Sequence, residues 1–164
     1  MSEADPRVGV LLVCMGNICR SPTAHGVLRA RLAAAGLEER IEVASAGTHD
    51  FHVGRGADPR AVAAARERGY SLEDLRARQV APDDLERFHY LLAMDRGNLA
   101  VLDELGAGRT RAEIALFLDY TPDLAGFEVP DPYYGVRNGF EEVLDLVEAG
   151  AEGLVAHLRR QHGL

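Results

Sequence analysis

Cysteine is scarce in this chain and lysine is missing. Two cysteines in 164 residues, Cys14 and Cys19, are too few and too close together to build a disulfide framework. They suit a reducing compartment and indicate chemistry rather than scaffolding. All 18 basic residues are arginine, which we interpret as a coding bias that favours a bacterial source.

Long apolar segments and an excess of basic charge are missing as well. The apolar run near the N-terminus, Val8 to Val13, is far shorter than the roughly 20 residues of a membrane helix. The first residues, MSEADPR, lack the basic-then-apolar pattern of a secretory signal, so we expect a cytoplasmic protein that does not bind membranes. The formal charge of −8 argues against nucleic-acid binding. Any anion site must therefore be local.

The overall composition is that of an ordinary globular protein. The chain is 47% hydrophobic and 27% charged, and its length predicts one domain spanning residues 1–164. It contains no internal repeat and no linker long enough to divide it. We expect a monomer, with weak self-association as the alternative.

Strand and helix patterns alternate along the chain. Val8 to Val13 predicts a strand that is buried on both faces, and Ser21-Pro22 predicts the cap and start of a helix that ends before Gly36. This alternation predicts a parallel sheet with helices on both faces. Further strands are predicted at 41–45, 89–94 and 113–118, helices beginning at Asp58, Asp95 and Asn138, and a long loop at 120–135. Gly150 and Gly153 weaken the expected continuity of the last helix.

The loop CMGNICR, from Cys14 to Arg20, joins the first strand to the first helix. Ligands bind at the carboxyl ends of parallel strands, and a helix N-terminus offers free N–H groups to an anion. Gly16 and Asn17 tolerate the left-handed backbone that turns such groups inwards. Arg20 can present a planar fork to two phosphate oxygens. The loop therefore predicts a cradle for a tetrahedral dianion.

Cys14 would lie at the floor of this cradle. The helix dipole, the inward N–H groups and Arg20 all favour its thiolate, which could attack a bound phosphoryl group and form a phosphocysteine. Free cysteine is also among the most buried residue types, and the spacing from Cys14 to Arg20 arises by chance fairly often. A core cysteine therefore stays an open alternative.

A second motif, Pro130-Asp131-Pro132-Tyr133-Tyr134-Gly135, lies in the long loop. A carboxylic acid held over the cleft can protonate a leaving group and later activate water, which makes Asp131 the candidate acid. The flanking prolines restrict its backbone, and Tyr133 and Tyr134 could wall an aromatic substrate. A simple turn with surface tyrosines is the alternative.

VCMGNICRSP together with DPYYG closely resembles the low-molecular-weight protein tyrosine phosphatases. The resemblance extends over essentially the whole chain, through SAGT at 45–48, VGR at 53–55, DPR at 58–60, ARQ at 77–79 and Met94-Asp95. It implies a three-layer αβα fold with a four-stranded parallel sheet, and hydrolysis of phosphotyrosine in proteins without a metal or cofactor. It also implies that Cys14 is the nucleophile, Arg20 the phosphate ligand and Asp131 the general acid.

The resemblance assigns supporting residues too. Asn17 would hold the unusual loop backbone, Ser45 would support it, and the Ser21 hydroxyl would stabilise the thiolate, although capping the helix is an equally good role for Ser21. Phe51 and His52 match a variable rim that faces the tyrosine pair, although Phe51 could equally be core. The predicted substrate-binding set is Met15, Gly16, Asn17, Ile18, Cys19, Ser21, Phe51, His52, Tyr133 and Tyr134.

Two positions invite closer attention. Leu75 stands where many members carry a histidine that helps to brace the loop, so bracing by Ser45 is expected to be weaker. Cys19 resembles a second loop cysteine that can form a protective disulfide with the nucleophile, and oxidation of a thiolate followed by capture from a nearby thiol is reasonable chemistry. Simple packing of Cys19 is an equally good alternative.

Two other activities share this architecture. An arsenate reductase needs further cysteines downstream, and none follows Cys19. A phosphocysteine carrier has no use for Arg20 together with Asp131. Metal-ligand spacing is absent among the other histidines, so we expect no metal site and either surface or hydrogen-bonded core positions for His25, His49, His89, His157 and His162.

Overall fold

The computed structural model describes residues 7–107, 110–132 and 139–164. Four parallel strands in the order β2-β1-β3-β4 form its sheet. They are β1 (Val8–Cys14), β2 (Ile41–Gly47), β3 (Tyr90–Ala93) and β4 (Glu113–Leu116). All four predicted strands are confirmed. The last one ends two residues early because Phe117–Tyr120 forms a 3-10 turn.

Five helices connect and cover the strands in the described part of the chain. They are α1 (Arg20–Ala34), α2 (Pro59–Glu67), α3 (Asp84–Arg87), α4 (Arg96–Gly106) and α5 (Gly139–His162). The short helix α3 has no counterpart among the predictions. None of the described helices is both long and apolar enough to cross a membrane.

Strand β1 lies inside the sheet, and its side chains alternate between two cores. Val10 and Leu12 pack in the core formed with α1, α2 and α5, whereas Leu11 and Val13 pack in the core formed with α3 and α4. All four side chains are fully buried. A strand covered on both faces needs apolar residues at every position, which explains the continuous run. The predicted three-layer αβα architecture is confirmed.

The predicted helix caps are right in two cases and wrong in one. Asp58 accepts a hydrogen bond from Arg60 N at 2.8 Å, and Asp95 accepts one from Asn98 N at 2.8 Å. Ser21 is not a cap, because α1 begins at Arg20 and the Ser21 side chain is turned towards the loop instead.

Helix α5 runs without a break through Gly150 and Gly153. A Cβ atom at Gly150 would lie 2.5 Å from Phe117 Cε2, and one at Gly153 would lie 2.2 Å from Thr121 Oγ1. The two glycines therefore let the helix approach the turns that follow β4. Asn138, the predicted start of this helix, lies outside the described residues.

Candidate active site

The loop between β1 and α1 begins and ends on buried residues. Cys14 is the last residue of β1, Arg20 is the first residue of α1, and each is 2% exposed. Neighbouring backbone anchors the loop in three places. Thr48 N donates to Cys14 O at 2.9 Å, His49 N to Met15 O at 3.0 Å, and Asp58 N to Ile18 O at 2.8 Å.

The loop backbone differs from the prediction at one residue. Asn17 does adopt the left-handed conformation, with φ 59°, and its Oδ1 accepts a hydrogen bond from Arg78 N at 3.0 Å. Gly16 does not adopt it. A Cβ atom at Gly16 would instead lie 2.9 Å from His52 Cδ2. A side chain at this position would therefore have to displace the His52 ring.

Hydrogen-bond donors converge on the Cys14 sulfur. Asn17 N donates to Cys14 Sγ at 3.3 Å, and Ser21 Oγ lies 3.0 Å from the same sulfur. Asn17 Nδ2 donates to Ser21 Oγ at 2.7 Å, and the hydroxyl hydrogen can then point at Cys14 Sγ or at the more distant Ala46 O, 3.5 Å away. Such donors stabilise a thiolate.

Arg20 is held from behind by Asp95. Its Nη1 atom donates to Asp95 Oδ2 at 2.7 Å and to Val129 O at 3.0 Å. Burial alone would lower the pKa of Arg20, but the negative charge expected on Cys14 and the carboxylates of Asp95 and Asp131 raise it overall. The guanidinium is therefore charged and fixed at the edge of the cleft.

Asp95 contacts Arg20 of the candidate site, a role that was not predicted. From the sequence, Asp95 was expected only to cap a helix. One carboxylate oxygen does cap α4, while the other binds Arg20. The available signal was its position just after β3, at the edge of the sheet where ligands bind.

Asp131 lies across the cleft from the loop. Its side chain is 39% exposed, and its Oδ2 atom lies 3.6 Å from Arg20 Nη2. The segment before it is held at the end of β3, since Val129 N donates to Met94 O at 2.8 Å.

One cleft contains many of the residues predicted for the site. Its lining residues are Cys14, Met15, Gly16, Ile18, Cys19, Arg20, Phe51, His52 and Asp131. Tyr133 and Tyr134 lie outside the described residues.

The rim of the cleft is apolar and accessible. Phe51 is 62% exposed and Met15 is 43% exposed, so Phe51 is not a core residue. The ring of His49 stacks on Phe51 with 4.9 Å between centroids. His52 lies beside Gly16 at the mouth of the cleft. An aromatic group could therefore rest against this rim.

Cys19 lies in the same loop, but its surroundings differ. Its strongest charged influence is the Asp58 carboxylate, whose pKa the thiol in turn helps to lower. Burial, followed by the negative charges of Asp58, Cys14 and Asp131, raises the pKa of Cys19 to about 12. Both cysteines are free. Cys19 is therefore a protonated thiol near neutral pH.

Ser45 has a partner that was not predicted. Its hydroxyl lies 2.9 Å from His25 Nδ1, on helix α1. Leu75, where a histidine was the expected partner, is half-buried and packs against the core shared by α1 and α5. The support that Ser45 gives to the loop stays a prediction, but its hydroxyl is not left unpaired by Leu75.

The histidines near the other end of the sheet are structural. His89 Nδ1 accepts a hydrogen bond from Gly9 N at 2.9 Å, and the Tyr90 hydroxyl lies 2.9 Å from His162 Nε2. Across residues 7–107, 110–132 and 139–164, no group of three or more histidine, cysteine, aspartate or glutamate side chains could hold a metal ion.

Comparison with known proteins gives consistent matches. A family model described as low molecular weight phosphotyrosine protein phosphatase matches residues 9–163. A low molecular weight protein-tyrosine-phosphatase of Streptomyces coelicolor is 47% identical over 93% of this chain and 94% of its own length. The crystal structure of YfkJ from Bacillus subtilis superposes with a TM-score of 0.90 at 38% identity, covering 96% of this chain and 98% of that one. A protein tyrosine phosphatase from Entamoeba histolytica, crystallised with Hepes in the active site, gives a TM-score of 0.89 at 35% identity over 94% of this chain and 99% of that one.

Proposed function

This chain belongs to the low molecular weight phosphotyrosine protein phosphatase family and is a hydrolase acting on phosphotyrosine, and we propose that it works through a phosphocysteine on Cys14. In this proposal Arg20 binds the phosphate and Asp131 is the general acid and base. The supporting observation is that the Cys14 sulfur, the Arg20 guanidinium and the Asp131 carboxyl line one cleft.

The first step transfers the phosphoryl group to the enzyme. The Cys14 thiolate attacks phosphorus, so that an S–P bond forms and the bond from phosphorus to the phenolic oxygen breaks. Asp131 gives its proton to the leaving phenolate. The guanidinium of Arg20 and the loop N–H groups stabilise the charge on the equatorial oxygens.

The second step hydrolyses the intermediate. Asp131, now a carboxylate, takes a proton from a water molecule that attacks phosphorus, and the S–P bond breaks. Inorganic phosphate leaves, and the sulfur returns as a thiolate. The Ser21 hydroxyl, 3.0 Å from Cys14 Sγ, stabilises that leaving thiolate.

The two alternative activities explain less of this cleft. A phosphocysteine carrier would not need a carboxyl group 3.6 Å from the phosphate-binding arginine. An arsenate reductase would need a third cysteine, and the sequence has two.

We further propose a substrate and a setting. Phe51 and His52 would form one wall that receives the phosphotyrosine ring, the sequence-based prediction for Tyr133 and Tyr134 as further wall residues is kept, and the substrates would be phosphoproteins. The whole chain would act as one domain, as a monomer or in weak self-association, without nucleic-acid or membrane binding. A bacterial cytoplasm is the proposed location, because two free cysteines suit a reducing compartment.

The test is hydrolysis of aryl phosphates and phosphopeptides in the presence of a chelator. Cys14→Ser should abolish turnover. Asp131→Asn should lower kcat/KM, which reports the first step, by about 10²–10⁴ for phosphotyrosine and by less for a nitrophenyl phosphate, whose leaving group needs no proton. Asp123→Asn is the matched control, because Asp123 is an exposed carboxylate on the preceding segment. It should behave like wild type.

Three outcomes would contradict the proposal. One is full activity in Cys14→Ser, and another is a loss of activity with the chelator. The third is an Asp131→Asn defect in kcat/KM that is equal for the two leaving groups. Faster hydrolysis of phosphoserine than of phosphotyrosine peptides would contradict the proposed substrate.

A further inference from the structure

A polar tie between α1 and β2 has no part in the mechanism above. His25 Nδ1 on α1 lies 2.9 Å from Ser45 Oγ on β2. His25 is half-buried, and burial together with the nearby Arg29 guanidinium lowers its pKa from 6.5 to about 4, against an opposing effect of Asp74. The imidazole is therefore neutral near pH 7 and can form this hydrogen bond without bringing charge into the interface.

The position of this bond relates it to the nucleophile. His25 follows Ser21 by four residues, so the two side chains lie on one face of α1. Beyond Ser45, β2 approaches the same region twice. Ala46 O lies 3.5 Å from Ser21 Oγ, and a Cβ atom at Gly47 would lie 2.6 Å from Met15 O in the loop. The bond thus joins α1 to β2 one helical turn from Ser21.

We propose that His25 is a positioning residue that holds the first turns of α1 against β2 through Ser45, and so keeps the Ser21 hydroxyl within reach of the Cys14 sulfur. This inference rests on the proposed function, since it concerns the nucleophile of that reaction. Without the bond, α1 can shift along β2, and the sulfur loses part of its stabilisation.

The test measures alkylation of Cys14 by iodoacetate as a function of pH, because alkylation reports the thiolate without turnover. His25→Ala should slow the reaction near pH 6 by about threefold to tenfold, the factor expected for one hydrogen bond. For an aryl phosphate, kcat should fall similarly and KM should stay within about twofold. His25→Asn should restore both rates, because the asparagine amide can occupy the position of Nδ1.

Arg31→Ala is the matched control. Arg31 lies further along α1 than His25, and its guanidinium lies 3.3 Å from the Tyr70 hydroxyl and 3.6 Å from the Glu152 carboxylate. Its loss should weaken the packing of α1 without affecting the bond to β2, so alkylation of Cys14 should match wild type. Equal slowing in Arg31→Ala and His25→Ala would mean that His25 acts only through stability, which would overturn the proposal.

Ser45→Ala provides the second arm if His25→Ala does not fold, and it should slow alkylation to the same extent. Alkylation at the wild-type rate in folded His25→Ala, or in folded Ser45→Ala, would also overturn the positioning role. Full phosphatase activity in Cys14→Ser would reject the proposed function instead. The two failures are therefore distinguishable.

Discussion

The two cysteines of the active-site loop differ in their surroundings rather than in their burial. Cys14 is 2% exposed and Cys19 is 5% exposed. Around Cys14 the neighbours are donors and a cation, namely Asn17 N, the Ser21 hydroxyl and Arg20. Beside Cys19 the dominant neighbour is the Asp58 carboxylate. Both sulfurs are buried, and burial is the first cause of the raised pKa of Cys19. We therefore expect the difference in reactivity between the two to come from their charged and hydrogen-bonding neighbours.

The largest effect is expected when each sulfur is replaced in turn. Cys14→Ser should lower kcat by at least about 10³-fold, because a serine hydroxyl at this position is not ionised. Cys19→Ser should stay within about threefold of wild type, since a serine hydroxyl, like the protonated thiol, is a small uncharged group at this position. Steady-state hydrolysis of a phosphotyrosine peptide measures both. Similar losses in the two variants would contradict the assignment of different roles.

A smaller effect is expected from the carboxylate behind Arg20. Asp95→Asn keeps a capping side chain for α4 but removes the charge that fixes the guanidinium, so kcat should fall about tenfold. Asp58→Asn, a cap on the Cys19 side of the loop, is the matched control and should alter kcat less. Kinetics of the two variants side by side would reveal the difference. An equal loss of kcat in Asp58→Asn and Asp95→Asn would contradict the different roles assigned to the two carboxylates.

The pH dependence of Cys19 labelling is a further difference expected between the two sulfurs. With its pKa raised to about 12 from 9.0, wild-type Cys19 should resist iodoacetamide at pH 9 while inorganic phosphate protects Cys14. Asp58→Asn should lower the pKa of Cys19 and speed its labelling about tenfold, the factor for one pKa unit. Peptide mapping by mass spectrometry measures the labelled fraction. Rapid labelling of Cys19 in wild type at pH 9 would contradict the raised pKa.

The smallest effect concerns His25. Its pKa is about 4 in the fold against 6.5 in the unfolded chain, so below pH 6.5 the unfolded state binds a proton that the native state does not. Stability should therefore fall as the pH drops from 6.5 to 4. His25→Asn should lose that part of the pH dependence, on the order of 1–2 kcal/mol for a half-buried group. Urea unfolding at several pH values measures it. An identical dependence in both proteins would show that His25 is not neutral in the fold.

The features that could be predicted from the sequence are local ones. The run from Val8 to Val13 has no polar side chain, which predicts a strand buried on both faces. The loop from Cys14 to Arg20 contains the proposed nucleophile and the proposed phosphate ligand within seven residues. The caps Asp58 and Asp95 were predictable because a cap acts on residues two or three positions further on. In each case the physical cause lies inside the segment.

The features that could not be predicted depend on contacts between distant segments. Asp95 lies 75 residues from the arginine it holds. Ser45 lies 20 residues from His25, and nothing in the sequence around either residue indicates the pair. Gly150 weakened the expected continuity of the last helix for the same reason: its role is to make room for Phe117, which lies in a distant segment. From the sequence, the Ser21 hydroxyl could either cap α1 or contact the sulfur of Cys14. The two roles differ only in the direction of the side chain, which depends on how the folded loop packs.

The central claim is that the phosphoryl group passes through Cys14, and trapping the intermediate tests it most directly. Asp131→Asn should slow hydrolysis of the intermediate, because water loses its general base. Acid quenching of this variant during turnover of a nitrophenyl phosphate, whose leaving group needs no proton, followed by peptide mass spectrometry, should locate one phosphoryl group on Cys14 and none on Cys19. A phosphoryl group on any other residue, or continued turnover in Cys14→Ser, would contradict the account.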